Sequence, residues 1–304
     1  MKKRDELADP KSCLNRAGEN EQLFVLRERD PAFPATVEFW SRERQKLGLD
    51  GDVRDVALTK QGGPSLELVQ GDSLEWLRTC GQVRAMFADP PDNIGLEYDG
   101  YSDDMRPADY YRWLEVLLLR ALAKCEVLWL SYHWSHDLEV KHLVREVLRT
   151  RHPRHSWREF LWTFTFSQYA ERDCAVSHRP ILRLARPGWE PSVDAIREES
   201  ERMRLGDPRA AGPRVPSNLW EFPRVVGNSR ERRPHHPTQH PEALVERMVL
   251  MSCSGEERWV DLFAGSGTSL RVCKRTGTPC TAIELSEVYC RHLREEHKLE
   301  VRTC

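Results

Sequence analysis

Trp259-Val-Asp-Leu-Phe-Ala-Gly-Ser-Gly-Thr268 is the stretch on which the fold turns. Trp259 to Leu262 is a short apolar run around one acid and reads as a buried strand. Gly265 and Gly267 follow at once. Lacking a Cβ, they let the backbone turn sharply and approach a ligand closely. Thr268 stands where a hydroxyl can cap a helix running through Leu270, Val272 and Cys273. A second strand, Cys280-Thr-Ala-Ile-Glu284, ends in an acid. Its distance from the glycine turn, about 20 residues, is where a dinucleotide-type fold sets its acceptor for ribose hydroxyls. A tight strand-helix turn with a surface acid at Glu284 would read the same way. No Gly-Lys-Ser/Thr follows, so this is not a phosphate loop.

Upstream, Val83-Arg-Ala-Met-Phe-Ala88 reads as another buried strand, and it runs into Asp89-Pro90-Pro91-Asp92. Each proline fixes its own backbone, and the second restrains the first. The carbonyls of such a turn cannot easily rotate away. Rigid acceptors beside a carboxylate suit a substrate amino group that must be held and made nucleophilic. An exocyclic amine on a nucleobase needs that help, because its lone pair is delocalised into the ring.

Together these residues resemble the S-adenosylmethionine-dependent amino-methyltransferases of DNA. The family's catalytic motif, Asp/Asn/Ser-Pro-Pro-aromatic, stands here as Asp89-Pro90-Pro91-Asp92. Its cofactor motif, Phe-x-Gly-x-Gly-Thr, stands as Phe263-Ala-Gly265-Ser-Gly267-Thr268. A third element, His236-Pro237-Thr238-Gln239, precedes it, ahead of a helix expected over Glu242 to Met251. The order of the three is similar to the beta-type arrangement, and the likeness covers residues 64 to 300. His178-Arg-Pro-Ile-Leu182 stands where the family commonly has His-Glu-x-Ile-Leu. The fourth motif position departs from the pattern, since Asp92 replaces the aromatic that stacks on the target base.

The resemblance implies an α/β fold: a Rossmann-like, mostly parallel sheet with an antiparallel hairpin strand, flanked by helices, carrying an inserted target-recognition region. Four stretches are expected. Residues 1–30 are a charged extension, 31–186 the catalytic half, 187–233 the recognition insertion over the DNA side, and 234–304 the cofactor-binding half. Helices are expected at Ser73 to Thr79 and Ala108 to Lys124, and further strands at Ser65 to Val69, Val127 to Ser131, Phe160 to Phe166 and Pro180 to Ala185. If the sheet is parallel, Asp72, Asp89, Ser131, Asp261 and Glu284 end strands and share one rim.

The resemblance also implies roles. Glu284 would accept from the ribose of S-adenosylmethionine, with Phe263, Gly265, Gly267 and Thr268 around it. Thr238, His236 and Asp261 would serve the methionine end. Asp72 would lie near the adenine, though a helix-start acid facing the helix dipole is an equal reading. Asp89 and the Pro90 carbonyl would accept the two amine hydrogens of a base flipped out of the duplex. Tyr98, Tyr101, Tyr132 and Trp134 are candidates to replace the missing stack, each equally readable as a core or loop aromatic. An aspartate in the first position points to adenine N6 before cytosine N4. RNA or a modified base, a catalytically inactive DNA-binding module, and a nucleotide-cofactor oxidoreductase are the other readings.

Composition sets bounds. The chain has 304 residues, 39% hydrophobic, with no apolar run of transmembrane length. Its N-terminus is charged with no apolar stretch behind it, so it is no secretory signal, and a cytoplasmic protein without membrane partners is expected. Nine cysteines in no Cys-x-x-Cys pair argue against a disulfide framework. His235, His236 and His240 lack a cysteine or acid spaced to complete a zinc site, so no metal is expected. The net charge of −2 does not suggest a DNA binder, but its distribution does. Six Lys/Arg lie between Lys141 and Arg158, and eight arginines between Arg202 and Arg233. Arginine clamps phosphates and reads guanine, although a solvated basic surface looks alike. Double-stranded DNA is the expected partner, with a homodimer and a restriction enzyme as further candidates from the resemblance.

Overall fold

The computed structural model describes residues 55–58, 63–165, 173–209 and 211–302. The charged extension (1–30) and the end of the stretch expected to reach Phe166 lie outside the described residues.

The chain enters with β1 (Asp55–Leu58) and β2 (Leu66–Gln70), then α1 (Ser73–Thr79) and β3 (Val83–Ala88). A small hairpin, β4 (Glu97–Tyr98) and β5 (Tyr101–Ser102), precedes α2 (Pro107–Lys124). Pro107 opens α2, where its missing N–H costs nothing and its φ suits a helix. Next come β6 (Cys125–Ser131), α3 (Asp137–Arg151), β7 (Ser156–Thr163) and β8 (His178–Ala185). A short α4 (Glu201–Arg204) and β9 (Leu219–Glu221) cross to α5 (Glu242–Ser252). The last part is β10 (Trp259–Asp261), α6 (Thr268–Thr276), β11 (Cys280–Glu284), α7 (Glu287–His297) and β12 (Glu300–Arg302).

These strands form one ten-stranded sheet in the order β12-β1-β2-β11-β10-β3-β6-β8-β7-β9. Its centre, β2 to β6, is parallel. β8 runs antiparallel between β6 and β7, as the hairpin expectation has it. Two more antiparallel pairings, β1 with β2 and with β12, extend the far edge beyond what the sequence suggested.

Burial on both faces explains the near-continuous apolar strands. Side chains alternate between two cores, as the two-residue period of a strand requires. Ala85, Phe87, Val127 and Trp129 face α5, α6 and α7. Met86, Ala88, Leu128 and Leu130 face α1, α2 and α3. Each fully buried Leu or Val here contributes roughly 1.5–3 kcal/mol.

The 187–233 segment is not wholly an overlay. Its β9 pairs in parallel with β7, and Trp220 is 1% exposed against Trp129 and Phe160. An indole buried in the sheet core anchors the segment, which charge and turn residues alone did not reveal. No helix among the described residues is long and apolar enough to cross a membrane.

Candidate active site

The chain runs outward from β3 to β6, and later outward again from β10 to β11 on the other side. The reversal point lies between β3 and β10, the place where open α/β sheets bind ligands. The two turns there are physically joined, because the Leu262 N–H donates to the Phe87 carbonyl at 2.9 Å. Ala264 N–H likewise bonds Ile283, at 2.8 Å, and Gly71 N–H bonds the Glu284 carbonyl, at 2.9 Å. The ends of β2, β11, β10, β3 and β6 therefore make one rim carrying Asp72, Glu284, Asp261, Asp89 and Ser131.

The glycine turn needs its glycines for two different reasons. Gly265 has φ +48°, and a Cβ there would meet His236 Nε2 at 2.7 Å. Gly267 has φ +78°, and a Cβ would meet the Leu293 side chain at 2.2 Å. Gly265 borders the first cavity; Gly267 serves helix packing and is not among the residues that line it. Thr268 does not cap α6 as the sequence suggested. Gly267 is the cap residue, without a side-chain bond, and the Thr268 hydroxyl donates to the His240 carbonyl at 3.3 Å. Asp261 is buried beneath the turn, accepts from the Phe263 N–H at 3.0 Å, and does not border the cavity. Burial pushes its carboxyl up to about 6, against the pull of Ser269 and that amide.

Glu284 also braces the turn. Its two oxygens accept from Gly265 N–H and Ser286 N–H, each at 2.8 Å. Burial raises its carboxyl to about 7 despite these bonds. Asp72 caps α1, accepting from Leu74 N–H (2.8 Å) and Glu75 N–H (3.1 Å), and it borders the cavity as well. Both of its readings therefore hold a place in the structure.

Asp72, Glu284 and Asp89 give the first cavity three acids, while Phe263, Ile283, Leu285 and Trp113 give it an apolar wall. Tyr98, Tyr101, His236 and Thr238 line its other side. The β4–β5 hairpin is pinned over it by Ser286, whose hydroxyl donates to Asp99 at 2.6 Å, and by Tyr289, whose hydroxyl accepts from Asp99 N–H at 3.2 Å. Acids for hydroxyl donors and a cation, beside an apolar wall for a heteroaromatic ring, fit S-adenosylmethionine by the chemistry of the donor set.

A second cavity of about 580 Å³ lies on the other side of Asp89, in the range of roughly 300–1,000 Å³ usual for small-molecule sites. His133, Trp134, Trp162, Phe164, Arg224 and Arg232 border it. Asp89, Arg179 and Thr238 line both cavities.

Asp89 is held from several sides. Its Oδ1 accepts from Arg179 Nη2 at 2.7 Å, and its Oδ2 lies 3.2 Å from His240 Nδ1. Burial alone would raise its carboxyl, but Arg179, His240 and Ser131 hold it below the usual range. His240 is itself pushed down by burial, so at neutral pH it is a neutral hydrogen-bond donor rather than an ion-pair partner. Asp92 is buried and is forked by Arg179 at 2.8 Å through each oxygen. Pro90 and Pro91 line the first cavity.

The stacking candidates separate. Tyr132 is fully buried, with its hydroxyl on Asp137 at 2.9 Å, and is a core residue. Tyr98 and Tyr101 are on the cofactor side. Trp134 borders the second cavity, and so do Trp162 and Phe164, which the sequence assigned only to a strand. Arg179 and His240 were also missed. The usable signal was Arg179 itself, a cation where the family commonly has an acid, in the same chain that lost its aromatic at Asp92. The three histidines take separate jobs: His235 stacks on His292, His236 packs on Gly265, and His240 holds Asp89.

The family model for DNA methylases matches residues 83–295. The chain is 28% identical over 252 residues to the DNA adenine methyltransferase YhdJ of Escherichia coli K12, covering 76% of this chain and 82% of that protein. It is 29% identical over 220 residues to the type II methyltransferase M.HpaI of Haemophilus parainfluenzae, covering 70% and 67%. The fold is similar to PvuII DNA methyltransferase (cytosine-N4-specific), with TM-score 0.56, 13% identity and coverage of 76% and 87%. It is also similar to a DNA modification methylase of Thermus thermophilus complexed with S-adenosyl-L-methionine, with TM-score 0.50, 16% identity and coverage of 76% and 92%. The chain belongs to the DNA methylase family, the S-adenosylmethionine-dependent enzymes that methylate amino groups of DNA bases.

Proposed function

We propose that this chain methylates adenine N6 in double-stranded DNA, on bases turned out of the duplex. The observation that carries the reading is that one carboxylate, Asp89, borders both the cofactor-side cavity and the larger cavity behind it. A target amine and a methyl donor approaching from opposite sides meet at that residue.

S-adenosylmethionine supplies the methyl group as a sulfonium electrophile when bound. Asp72 and Glu284 are the acceptors for its ribose hydroxyls, and Tyr98, His236 and Thr238 border the opposite end. The target amine donates one hydrogen to Asp89 and one to the Pro90 carbonyl. Two fixed acceptors turn the nitrogen lone pair toward the methyl group, so the gain comes from orientation and preset dipoles. An ionised Asp89 can also take the proton that the nitrogen sheds after alkylation. The chemistry needs no covalent enzyme intermediate, and the cysteines need no catalytic role. Trp162, Phe164 and Trp134 are the aromatics available to the base on its own side. Arg224 and Arg232 at that rim suit phosphate contacts, with 187–233 as the DNA-facing segment.

Adenine is favoured over cytosine by the aspartate in the first motif position and by the name of the relative YhdJ. The test is methyl transfer from labelled S-adenosylmethionine to mixed-sequence duplex DNA, followed by nucleoside analysis. N6-methyladenine, lost in Asp89→Ala, is the expected product. N4-methylcytosine would replace the adenine reading with the cytosine one, and transfer to RNA alone would remove DNA as the substrate.

A further inference from the structure

Two departures from the family's pattern meet in one place. The pattern has an aromatic at position 92 and an acid at position 179; this chain has Asp92 and Arg179. The two side chains are locked together. Arg179 Nη1 donates to Asp92 Oδ2 and Nη2 to Oδ1, both at 2.8 Å, in the two-pronged geometry that a guanidinium and a carboxylate share. The same Nη2 donates to Asp89 Oδ1 at 2.7 Å, and Nε donates to Ser131 Oγ at 2.7 Å.

A ring closes through these contacts. Ser131 Oγ lies 3.2 Å from His240 Nε2, and His240 Nδ1 lies 3.2 Å from Asp89 Oδ2. With His240 neutral and its proton on Nδ1, every donor in the ring finds an acceptor. Arg179 gives to Ser131, Ser131 to His240, His240 to Asp89, and Arg179 to Asp89. The Asp92 backbone is tied as well, since its carbonyl accepts from His136 Nε2 at 2.7 Å. The side chains of Arg179 and Asp92 are only 15% and 6% exposed, so this is no solvated surface pair. Nor is it deep core, because both border the cavity at Asp89.

We propose that Arg179 is a positioning residue for amine methylation, anchored by Asp92 and fixing Asp89 in the one orientation that accepts from the target base. This rests on Asp89 being the amine acceptor, as read above. Asp92 then has a purpose in place of stacking: it is the second anchor of a guanidinium that the rest of the family pattern does not call for.

The charges around Asp89 make the proposal measurable. Facing it are Arg179 from β8, His240 and His236 from the loop before α5, Asp92 from its own turn, Tyr98 from β4 and Asp261 from β10. Arg179 is the one permanent cation among these. Without it, burial and the neighbouring acids push the Asp89 carboxyl upward, so the rate is lost at a higher pH as acid is added.

The experiment is single-turnover methylation of duplex DNA across pH, together with the cofactor dissociation constant. Arg179→Met should lower the neutral-pH rate by roughly 10–100-fold, move the acid limb to higher pH, and leave cofactor binding nearly unchanged. Arg179→Lys keeps the charge without the fork, and should return the acid limb but not the full rate. Asp92 left unpaired could unfold the first variant, so Arg179→Met with Asp92→Leu removes both charges at once. It should fold and still show the slower, shifted profile. Parental rate and pH profile in the double variant would overturn the proposal. An inactive Asp89→Ala beside such a double variant sinks the positioning role alone, whereas an active Asp89→Ala sinks the acceptor reading beneath it too.

Discussion

The two sides of Asp89 are built on different rules. On the cofactor side the residues follow their motif, and the backbone carries much of the load. Glu284 holds two amides, Asp72 caps a helix, and Gly265 turns where a Cβ would strike His236. On the target side the motif breaks, and side chains carry the load through the Arg179 fork and aromatics from β7 and its extension. Backbone turns are preset when the sheet forms, whereas a side-chain network must be satisfied member by member. The cofactor side should therefore tolerate single changes better than the target side.

The largest effect should come where the sides meet. Asp89→Ala is expected to lower the single-turnover rate by roughly 10²–10³-fold, the range seen when one preset polar group is lost from a transition-state site. Cofactor affinity, measured by calorimetry on the same variant, should change little. A matching loss of cofactor binding would mean that the two sides are not separable at Asp89.

Glu284→Gln comes next and tests the cofactor side alone. Its carboxyl sits at about 7 in the folded protein against an ordinary 4.5. Between those values the folded chain keeps a proton that the unfolded chain has released. This group therefore costs stability as pH rises through that window, and the cost is complete above about 7. Hydroxyl donors and a sulfonium cation favour the ionised form, so cofactor affinity should climb with pH up to about 7 and then level. Glu284→Gln should weaken binding by roughly 10–100-fold at neutral pH, the worth of a charged hydrogen bond, and flatten that pH dependence. An unchanged pH dependence would place the titration elsewhere.

Phe164→Ala probes the target side with a smaller expected effect. Phe164 borders the second cavity, meets Trp162 edge-on with centroids 5.3 Å apart, and lies beneath Arg224. Loss of a base-stacking ring costs about 1–3 kcal/mol. It should appear as a higher KM for DNA with cofactor affinity intact. Trp162→Ala is a poorer probe, because that indole is buried and bonds the Phe222 carbonyl at 2.8 Å.

The same contrast explains what the sequence could disclose. Val83 to Ala88 and Cys280 to Glu284 were readable to the residue, because buried parallel strands are short apolar runs that end at turn signals. The glycine turn and Asp89-Pro-Pro were readable because each packs its geometry into adjacent residues. Arg179 and His240 were not, since they reach Asp89 from positions 90 and 151 residues away along the chain. Their partners are set by the strand order, and a linear pattern carries no trace of that. Thr268 failed for a local reason: Gly267 already takes the left-handed cap position, which frees the hydroxyl to bond His240 across the turn. Trp220 looked like part of a polar insertion because its neighbours are charged, while its indole alone enters the core.

The finest distinction lies in Asp72, which serves the helix and the cavity with one carboxylate. Asparagine caps a helix about as well as aspartate, so Asp72→Asn should leave thermal stability within experimental scatter. Alanine removes the bonds to Leu74 and Glu75 and should cost about 1 kcal/mol. Cofactor affinity should respond in the other proportion. Both variants remove the negative charge from the cavity, so both should weaken binding by a similar few-fold. A loss of affinity in the alanine variant alone would make Asp72 a cap that merely borders the cavity. Equal losses with unequal stabilities would show that the carboxylate reaches the ligand while it holds the helix, and that even the backbone-built side of this site carries a side chain with two tasks.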